Sequence, residues 1–317
     1  MLSKLTQRFK NRPELDPGLG TKVVTPKSRL ILPDGSFHVR RTGLPWWERT
    51  TPYQWLGQIS WPAFACMALV GYAFTNTLFA FAYLGIGLNH LQGTVAGTFW
   101  QDLREAWFFS AQTLTTVGYG RISPEGTLSS SLAAFEALVG LMGFGVWTGL
   151  VFSRFSRARS KILFARHSVV APYKEGLAWM FRMVASHDHP LLDADAYVLF
   201  TWVEAGPQGP VRRYQDLVLE RSAVRFFPMN WTLVHPIGDD SPLNGLTAAD
   251  LEEIDAEIMV LVRAHDETYG QTVHSRSSWK ARDILFGARY APMMSSGLDG
   301  ATEIDLSALG KIESVAM

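Results

Sequence analysis

Residues 113–120, which read TLTTVGYG, are the part of the chain whose types and spacing most directly indicate chemistry. Backbone carbonyl oxygens can replace the hydration shell of a potassium ion if several of them point at one axis. A backbone that turns successive carbonyls to one side must visit conformations that residues without a Cβ adopt cheaply, which accounts for Gly118 and Gly120. The candidate ion-binding residues are therefore Thr116, Val117, Gly118, Tyr119 and Gly120.

One chain supplies only part of a ring of oxygens around an ion. If the segment binds a dehydrated ion, a symmetric homotetramer follows, in which each copy provides a quarter of the ring. The expected ligand is the permeant K⁺, with no other metal and no cofactor. We expect Val117 and Tyr119 to point away from the ion, against Trp107 and Phe108. The helix before the segment is expected to aim the unsatisfied carbonyls of its last turn at the ion path.

Two apolar segments flank these residues, and each is long enough to cross a membrane. Residues 63–84 and 128–152 exceed the roughly 20 helical residues that span a hydrocarbon core, and residues 50–101 contain no Asp, Glu, Lys or Arg. The apolar piece between them, residues 98–115, is too short to cross, which favours a re-entrant helix. Lys and Arg concentrate before the first span and after the second, so both termini are expected in the cytoplasm.

The chain is predicted to contain three regions. Residues 1–45, rich in Pro and Gly, are expected to form a cytoplasmic arm with little structure. Residues 46–155 form the membrane region; they begin with a short helix on the inner membrane surface, capped at Thr51, or with the juxtamembrane start of the first span. Residues 156–317 carry short alternating runs separated by turn signals, which predict a cytoplasmic immunoglobulin-like β-sandwich with one short helix at 248–254. The expected strands are 161–170, 177–184, 196–204, 211–219, 231–235, 257–263 and 272–279.

Composition disfavours several other classes of protein. The 29 basic and 29 acidic residues give a net charge of zero, so no nucleic-acid partner is expected. The single cysteine, Cys66, excludes an intrachain disulfide. His187 and His189 lack a second ligand cluster for a metal, and no nucleophile motif indicates an enzyme.

Several motifs together resemble the prokaryotic inward-rectifier potassium channels, the KirBac family. They are TTVGYG after the re-entrant segment, SWPAF before the first span, FEALVGLMGFG in the second span and FFPMNWTLVHPIGDDSPL in the β region. The resemblance covers residues 44–306 and implies a potassium-selective channel of the bacterial inner membrane. Two alternatives stay open: a membrane-anchored β-sandwich binding protein, which would leave TVGYG unexplained, and a weakly selective cation channel.

The resemblance also implies roles for residues of the second span. Phe152 matches the bulky residue of the family's gate at the cytoplasmic end of the inner helices, and Phe144, about two turns earlier, is a candidate second ring. Gly143 is the candidate hinge among several glycines of this span. Animal members carry an acidic residue at the position that matches Phe144, so strong rectification is not expected here. They also carry an extracellular cysteine pair that this chain lacks.

Glu136 is the only charged residue between Glu125 and Arg154, and it lies within the second span. An ionisable group inside a membrane helix is costly and therefore a functional candidate. Two interpretations are open. The carboxyl group supports the filter from behind through Gln112 or Thr113, or it is a buried, protonated group that only fixes helix packing.

Basic residues flank the two spans on the expected cytoplasmic side. Each contributes about 1 kcal/mol of attraction to an anionic membrane surface, and the family responds to anionic phospholipids at comparable positions. An ordinary positive-inside flank would look the same. The sequence identifies no cytoplasmic ligand. The candidate lipid-binding residues are Arg49, Arg154, Arg157, Arg159 and Lys161.

Overall fold

A computed structural model describes most of the chain. The described residues are 17–23, 27–40, 42–43, 45, 55–57, 59–95, 97–156, 162–186, 191–207, 209–227, 230–297 and 299–316. The chain divides into two compact units. One unit is Thr42–Arg157, and the other combines Met1–Arg41 with Ala158–Met317.

The first unit consists of two long helices with a shorter helix between them. These are α1 (Trp61–Ile86), α2 (Phe99–Leu114) and α3 (Thr127–Phe155). The long helices α1 and α3 have a mean hydropathy of 1.6 over their most apolar windows, and they contain the two predicted spans. At 16 residues, α2 is about 24 Å long and too short to cross a bilayer. The predicted order of span, re-entrant helix and span is therefore confirmed.

Local signals in the sequence explain where these helices begin. Ser60 precedes α1, and its side chain accepts a hydrogen bond from the Ala63 backbone at 3.4 Å. Gln101 closes a capping box at the start of α2, where its Oε1 accepts from the Thr98 backbone N–H at 2.8 Å. Residues 55–57 form a helical turn within the predicted surface helix, and the predicted cap of that helix, Thr51, lies outside the described residues.

A small sheet joins the segment before α2 to the segment after the TVGYG loop. Its strands are β1 (Leu91–Gln92) and β2 (Ser123–Pro124), which pair antiparallel. A 3-10 turn, Leu88–His90, precedes β1, and the His90 carbonyl accepts from the Glu125 backbone at 2.7 Å. This sheet fixes the path of the chain on leaving the loop.

The second unit is built from strands, as the alternating pattern predicts. In chain order they are β3 (Ile162–Phe164), β4 (Ser168–Tyr173), β5 (Gly176–Ala185), β6 (Leu191–Gly206), β7 (Gly209–Asp216), β8 (Ala223–Phe227), β9 (Asn230–Ile237), β10 (Glu257–Asp266), β11 (Gln271–Lys280), β12 (Ile284–Phe286), β13 (Ala288–Tyr290), β14 (Met294–Ser296), β15 (Thr302–Ile304) and β16 (Ile312–Ser314). The predicted short helix is α4 (Ala248–Glu253), and 3-10 turns occupy Ala281–Asp283 and Leu306–Ala308.

These strands form a β-sandwich. One sheet has the order β11-β10-β6-β7 with β8 also paired to β6, and the other has the order β12-β4-β5-β3 with β9 paired to β5. Every second residue of β6 from Ala194 to Trp202 is buried in a core shared with β5, β10 and β11. The Phe181 and Trp279 rings, one from each sheet, lie 4.7 Å apart at its centre. The predicted β-sandwich is therefore confirmed.

The strand predictions miss some boundaries and some short strands. The run predicted as one strand at 161–170 is interrupted at residues 165–167 and forms β3 and β4. Strand β8 and strands β12–β16 were not predicted. Most of these are three residues long, too short for an alternating pattern to be recognised.

The described part of the N-terminal arm, residues 17–23 and 27–40, is ordered against the sandwich, which corrects the expectation of little structure. Ile31 is buried with Leu199, Tyr214 and Met259 on the sheet face that points away from the main core. Ile31 also pairs with Phe37 across a turn, and Lys22 pairs with Val211 on the edge strand β7. The arm therefore covers apolar side chains that the sheet would otherwise expose.

A buried carboxylate anchors the arm. Glu257 is fully buried, and both of its oxygens accept the Leu30 backbone N–H at 3.0 Å. Lys280 lies 3.6 Å from the same carboxylate, and Ser278 donates to the Ile31 carbonyl at 2.8 Å. Backbone groups of the arm thus satisfy buried polar groups of the sheet.

Candidate ion-binding site

The TVGYG loop has a backbone that alternates in handedness. Thr116, Gly118 and Gly120 have φ angles of +59°, +54° and +79°, whereas Val117 and Tyr119 between them do not have positive φ. Left-handed backbone at every second residue turns successive peptide planes the same way. A positive φ at Thr116 is strained because its side chain is β-branched. The loop therefore adopts, at a conformational cost, the alternation that a row of carbonyls on one side requires.

The loop is tied to the last turn of α2. The Gln112 carbonyl accepts from the backbone N–H groups of Val117 at 2.9 Å and Gly118 at 3.2 Å, and the Thr113 carbonyl accepts from Thr116 at 3.0 Å. We expected the carbonyls of this turn to be unsatisfied, but these two carbonyls accept bonds from the loop itself. The helix end therefore sets the start of the loop directly.

The side chains of the loop face outward from the chain. Val117 is 51% exposed and Tyr119 is 85% exposed, and both line a cleft together with Phe108. Trp107, the other predicted contact, packs against Tyr72 and Phe108 instead. A tyrosine this exposed within one chain has its apolar surface available to another copy.

An ion pair holds the outer end of the loop. Arg121 follows Gly120 directly; its guanidinium lies 2.8 Å from the Glu105 carboxylate and donates to the Gly93 carbonyl at 3.2 Å. The Gln112 side chain donates to the Ile122 carbonyl at 3.2 Å. Neither Glu105 nor Arg121 was predicted as a site residue from the sequence, although both lie within a stretch that has few charges.

Four polar side chains from the three helices meet in the interior of the unit, and we call them the polar cluster: Asn76 and Tyr83 of α1, Ser110 of α2 and Glu136 of α3. Each is at most 1% exposed. Tyr83 donates to Glu136 Oε2 at 2.6 Å, Ser110 Oγ is hydrogen-bonded to Glu136 Oε1, and Ser110 Oγ lies 3.1 Å from Asn76 Oδ1. The cluster joins all three helices at one point.

The predicted partners of Glu136 are not the ones the structure shows. Gln112 uses its side chain for the Ile122 carbonyl, and Thr113 donates to the Phe109 carbonyl of its own helix at 2.8 Å. Glu136 instead reaches α2 one turn earlier, at Ser110. The sequence did contain a signal for the true partners of Glu136, because Asn76, Tyr83 and Ser110 are polar residues within apolar segments and a buried polar side chain requires a partner.

A close approach of α3 to the base of the loop depends on Gly140. A Cβ atom added at this position would lie 1.9 Å from the Leu114 carbonyl oxygen. Leu114 is the last residue of α2. A side chain at residue 140 would therefore displace the backbone that leads into the loop.

Comparison with known proteins places both units in one family. The model for the inward rectifier potassium channel C-terminal domain matches residues 162–317, and a model described as ion channel matches residues 67–157. The inward rectifier potassium channel Kirbac3.1 of Paramagnetospirillum magnetotacticum is 33% identical over 301 residues, which are 94% of this chain and 99% of that protein. The chain belongs to the inward rectifier potassium channel family.

Two human relatives that carry the inward-rectifier name are less similar to the chain. The ATP-sensitive inward rectifier potassium channel 8 of Homo sapiens is 26% identical over 81% of the chain, which spans 63% of that protein. The ATP-sensitive inward rectifier potassium channel 11 of Homo sapiens is 26% identical over 80% of the chain and 70% of its own length. Membership, together with α1 and α3, makes this chain a membrane protein.

The sequence predicts that α3 contains the gate residues Phe144 and Phe152 and a hinge at Gly143. Phe144 and Phe152 are 71% and 70% exposed within one chain. Phe144 and Gly143 line an apolar cleft of about 750 Å³ that also contains Thr116 at the base of the loop. Helix α3 is continuous through Gly143. The roles of these three residues stay predictions.

Arg154 has an intraprotein role that the sequence did not predict. Its guanidinium donates to the Leu56 carbonyl and, at 2.7 Å, to the Ile59 carbonyl. The Trp61 and Phe64 rings lie within 4.6 Å of its central carbon. Arg154 therefore links the segment before α1 to the end of α3, and its contact with lipid stays a prediction.

The other predicted lipid-binding residues, Arg49, Arg157, Arg159 and Lys161, lie outside the described residues, as do His187 and His189. Within the described ranges, no group of three or more His, Cys, Asp or Glu residues is arranged to hold a metal ion.

The motif HPIGDDSPL, which contributed to the inward-rectifier resemblance, ends β9 and continues into an exposed turn, Gly238–Asp240, with buried residues on both sides of the turn. His235 of β9 lies 2.7 Å from the Val218 carbonyl through Nδ1 and 2.7 Å from the Ser241 hydroxyl through Nε2. A carbonyl only accepts, so Nδ1 carries the proton and Nε2 accepts from Ser241. Burial lowers the pKa of His235 below its ordinary value of 6.5, against the weaker opposite effect of the Val218 carbonyl. The imidazole is thus held neutral as a structural crosslink.

Proposed function

We propose that this chain forms a symmetric homotetramer that conducts K⁺ selectively and passively across the bacterial inner membrane. The observation that carries the proposal is the left-handed backbone at Thr116, Gly118 and Gly120, alternating with the residues between them. Four copies of this loop around one axis supply rings of carbonyl oxygens that replace the hydration shell of K⁺. Kirbac3.1 carries the name of an inward rectifier potassium channel, in agreement with this function.

The exposure of the membrane helices supports assembly. Only 6% of the most apolar window of α3 is buried within one chain, against 22% for α1. A helix that forms so few contacts in its own chain is covered by lipid or by other copies. In the proposed tetramer, α3 is the inner helix, and its exposed Phe144 and Phe152 face the ion path.

Control of flow is assigned to the cytoplasmic end of α3. Four copies of Phe152 form an apolar constriction that stops ions by remaining poorly wetted, and Phe144 forms a second ring. Phe144 also replaces the acidic side chain to which blocking cations bind in strongly rectifying relatives, so rectification is weak. Gly143 lies between these rings and the filter and provides the bend on opening.

Location and lipid response complete the proposal. Both termini and the β-sandwich lie in the cytoplasm, because Lys and Arg concentrate on that side of the two spans. Anionic phospholipids bind the basic flank formed by Arg49, Arg154, Arg157, Arg159 and Lys161. The Arg154 guanidinium already donates to two backbone carbonyls. Neutralising Arg154 is therefore expected to weaken the packing between α3 and the segment before α1 more than it weakens lipid binding.

Ion flux into liposomes tests this function. The purified full chain is reconstituted with and without anionic lipid, and uptake of K⁺ and Na⁺ is compared in the presence and absence of barium. Potassium uptake that barium blocks and that sodium does not replace is expected. Sodium uptake of similar size would indicate a weakly selective cation channel, and absence of flux would leave a membrane-anchored binding protein.

A further inference from the structure

The polar cluster contains more hydrogen-bonding contacts than its hydroxyl groups can serve. Three contacts join its members: Asn76 Oδ1 to Ser110 Oγ, Ser110 Oγ to Glu136 Oε1, and Glu136 Oε2 to the Tyr83 hydroxyl. Each contact joins two oxygens and needs one proton between them. Ser110 and Tyr83 provide one proton each. One contact therefore lacks a proton if Glu136 is ionised.

The amide of Asn76 cannot supply the missing proton. Its Nδ2 already donates to the Tyr72 carbonyl at 2.7 Å. Turning the amide over would place Oδ1 against that carbonyl and leave two acceptors facing each other at the same distance. The Asn76 oxygen therefore faces Ser110 and takes the Ser110 proton.

Among the residues that the structure describes, no positive charge compensates Glu136. Within the described residues, no ion pair involves Glu136, whose side chain has no exposure to solvent. The nearest charge pair of the unit along α2, Glu105 with Arg121, is closed on itself at 2.8 Å. An isolated buried carboxylate is among the most costly groups in a protein interior. A proton on Glu136 would supply the missing hydrogen bond and would also remove the uncompensated charge.

We propose that Glu136 is a neutral carboxylic acid whose O–H donates to Ser110, so that one proton completes a chain of hydrogen bonds across α1, α2 and α3. In this arrangement Glu136 donates to Ser110, Ser110 donates to Asn76, and Tyr83 donates to the remaining oxygen of Glu136. Every oxygen of the chain then has a donor for each contact.

This proton has a consequence for the ion path, and that consequence rests on the proposed function. Ser110 lies on α2, whose last turn binds the filter loop through the Gln112 and Thr113 carbonyls. Fixing Ser110 from two sides fixes the rotation of α2 and hence the start of the loop. Glu136 is thus a positioning residue. Because it is neutral, it places no negative charge against Ser110 of α2, the helix that leads into the filter loop.

Infrared spectroscopy of the reconstituted full chain at neutral pH tests the proton directly and does not depend on transport. The difference spectrum between wild type and Glu136→Gln should contain the C=O stretching band of a protonated carboxylic acid. Glu105→Gln is the matched control, since Glu105 is an ion-paired buried carboxylate of the same unit, and its difference spectrum should contain only carboxylate bands. Carboxylate bands alone in the Glu136→Gln difference would overturn the proposal.

Two further variants cover poor folding of Glu136→Gln and test the positioning role. Tyr83→Phe removes one hydrogen bond from the acid and should move its C=O band to higher frequency without abolishing it; an unmoved band would contradict the contact. Glu136→Gln keeps a donor toward Ser110 and an acceptor toward Tyr83, so its K⁺ uptake should stay within about twofold of wild type, whereas Glu136→Leu should lose at least about fivefold. Equal losses of uptake in Glu136→Gln and Glu136→Leu would overturn the positioning role.

The infrared test and the flux test can fail independently. The acid band in a wild-type chain that shows no K⁺ flux would support the proton on Glu136 and refute the proposed channel function.

Discussion

Replacing Gly140 with alanine tests how closely α3 approaches the base of the filter. The new Cβ would lie 1.9 Å from the Leu114 carbonyl oxygen and 2.8 Å from its carbon. An ordinary carbon-to-oxygen contact is about 3.3 Å, so the shortfall is about 1.4 Å. The obstructing atoms belong to backbone and cannot rotate away as a side chain would. Relief therefore requires α3 to move or the Leu114 peptide to turn.

Gly145→Ala is the matched control for this perturbation. It introduces the same methyl group in the same helix, but its Cβ meets nothing within 4 Å in the chain. Both variants gain the same helix propensity, about 1 kcal/mol, so the difference between them isolates the clash. Overpacking of this kind costs about 1–3 kcal/mol. We expect Gly140→Ala to be less stable than Gly145→Ala by that amount.

Two measurements on each variant are informative. Thermal unfolding of the detergent-solubilised protein gives the difference in stability, and the ratio of K⁺ to Na⁺ uptake in liposomes gives the effect on the filter. Gly140→Ala should unfold at lower temperature and lose selectivity, because the displaced Leu114 peptide leads directly into the loop. Equal stability and equal selectivity in the two variants would refute the packing described for α3.

Three further predictions concern other contacts. Arg121→Gln should lower thermal stability and selectivity more than Glu105→Gln, since losing the exposed arginine leaves a mostly buried carboxylate unpaired. The double variant with the two charges exchanged, Arg121→Glu with Glu105→Arg, should recover part of the lost stability, and no recovery would contradict the ion pair. Glu257→Ala leaves buried arm N–H groups unsatisfied, at about 1–3 kcal/mol each, and should speed hydrogen exchange in the N-terminal arm, whereas exposed Glu267→Ala should not. The pKa of His235 in the folded chain lies below its ordinary 6.5, so proton binding favours the unfolded chain and the thermal stability should fall as the pH drops below 6.5. In His235→Gln this loss of stability with falling pH should be smaller, and a loss equal to that of wild type would contradict the neutral His235 crosslink.

The parts of the fold that were predictable from sequence are those that local residues determine. The spans follow from uninterrupted apolar length, and the loop conformation follows from Gly118 and Gly120, which adopt positive φ without a Cβ penalty. The alternation of β6 likewise encodes which side chains enter the sandwich core. The positive φ of Thr116 was not predictable, because a β-branched residue adopts it only when bonds from the end of α2 impose it.

The contacts that were not predictable join residues distant in the chain. Glu136 was recognised as costly, yet its partners Tyr83 and Ser110 are 53 and 26 residues away, and only helix packing brings them together. The expectation for the described part of the N-terminal arm was wrong for a different reason. Pro33 and Gly35 were interpreted as breakers of structure, whereas they form the turn between Ile31 and Phe37.

An experimental structure of the purified chain in K⁺ would show whether the loop binds the ion. We predict four copies around one axis, with K⁺ density on that axis ringed by the carbonyl oxygens of the loop from Thr116 to Tyr119. Carbonyl oxygens that face away from the axis, or a chain that does not assemble in fours, would contradict it.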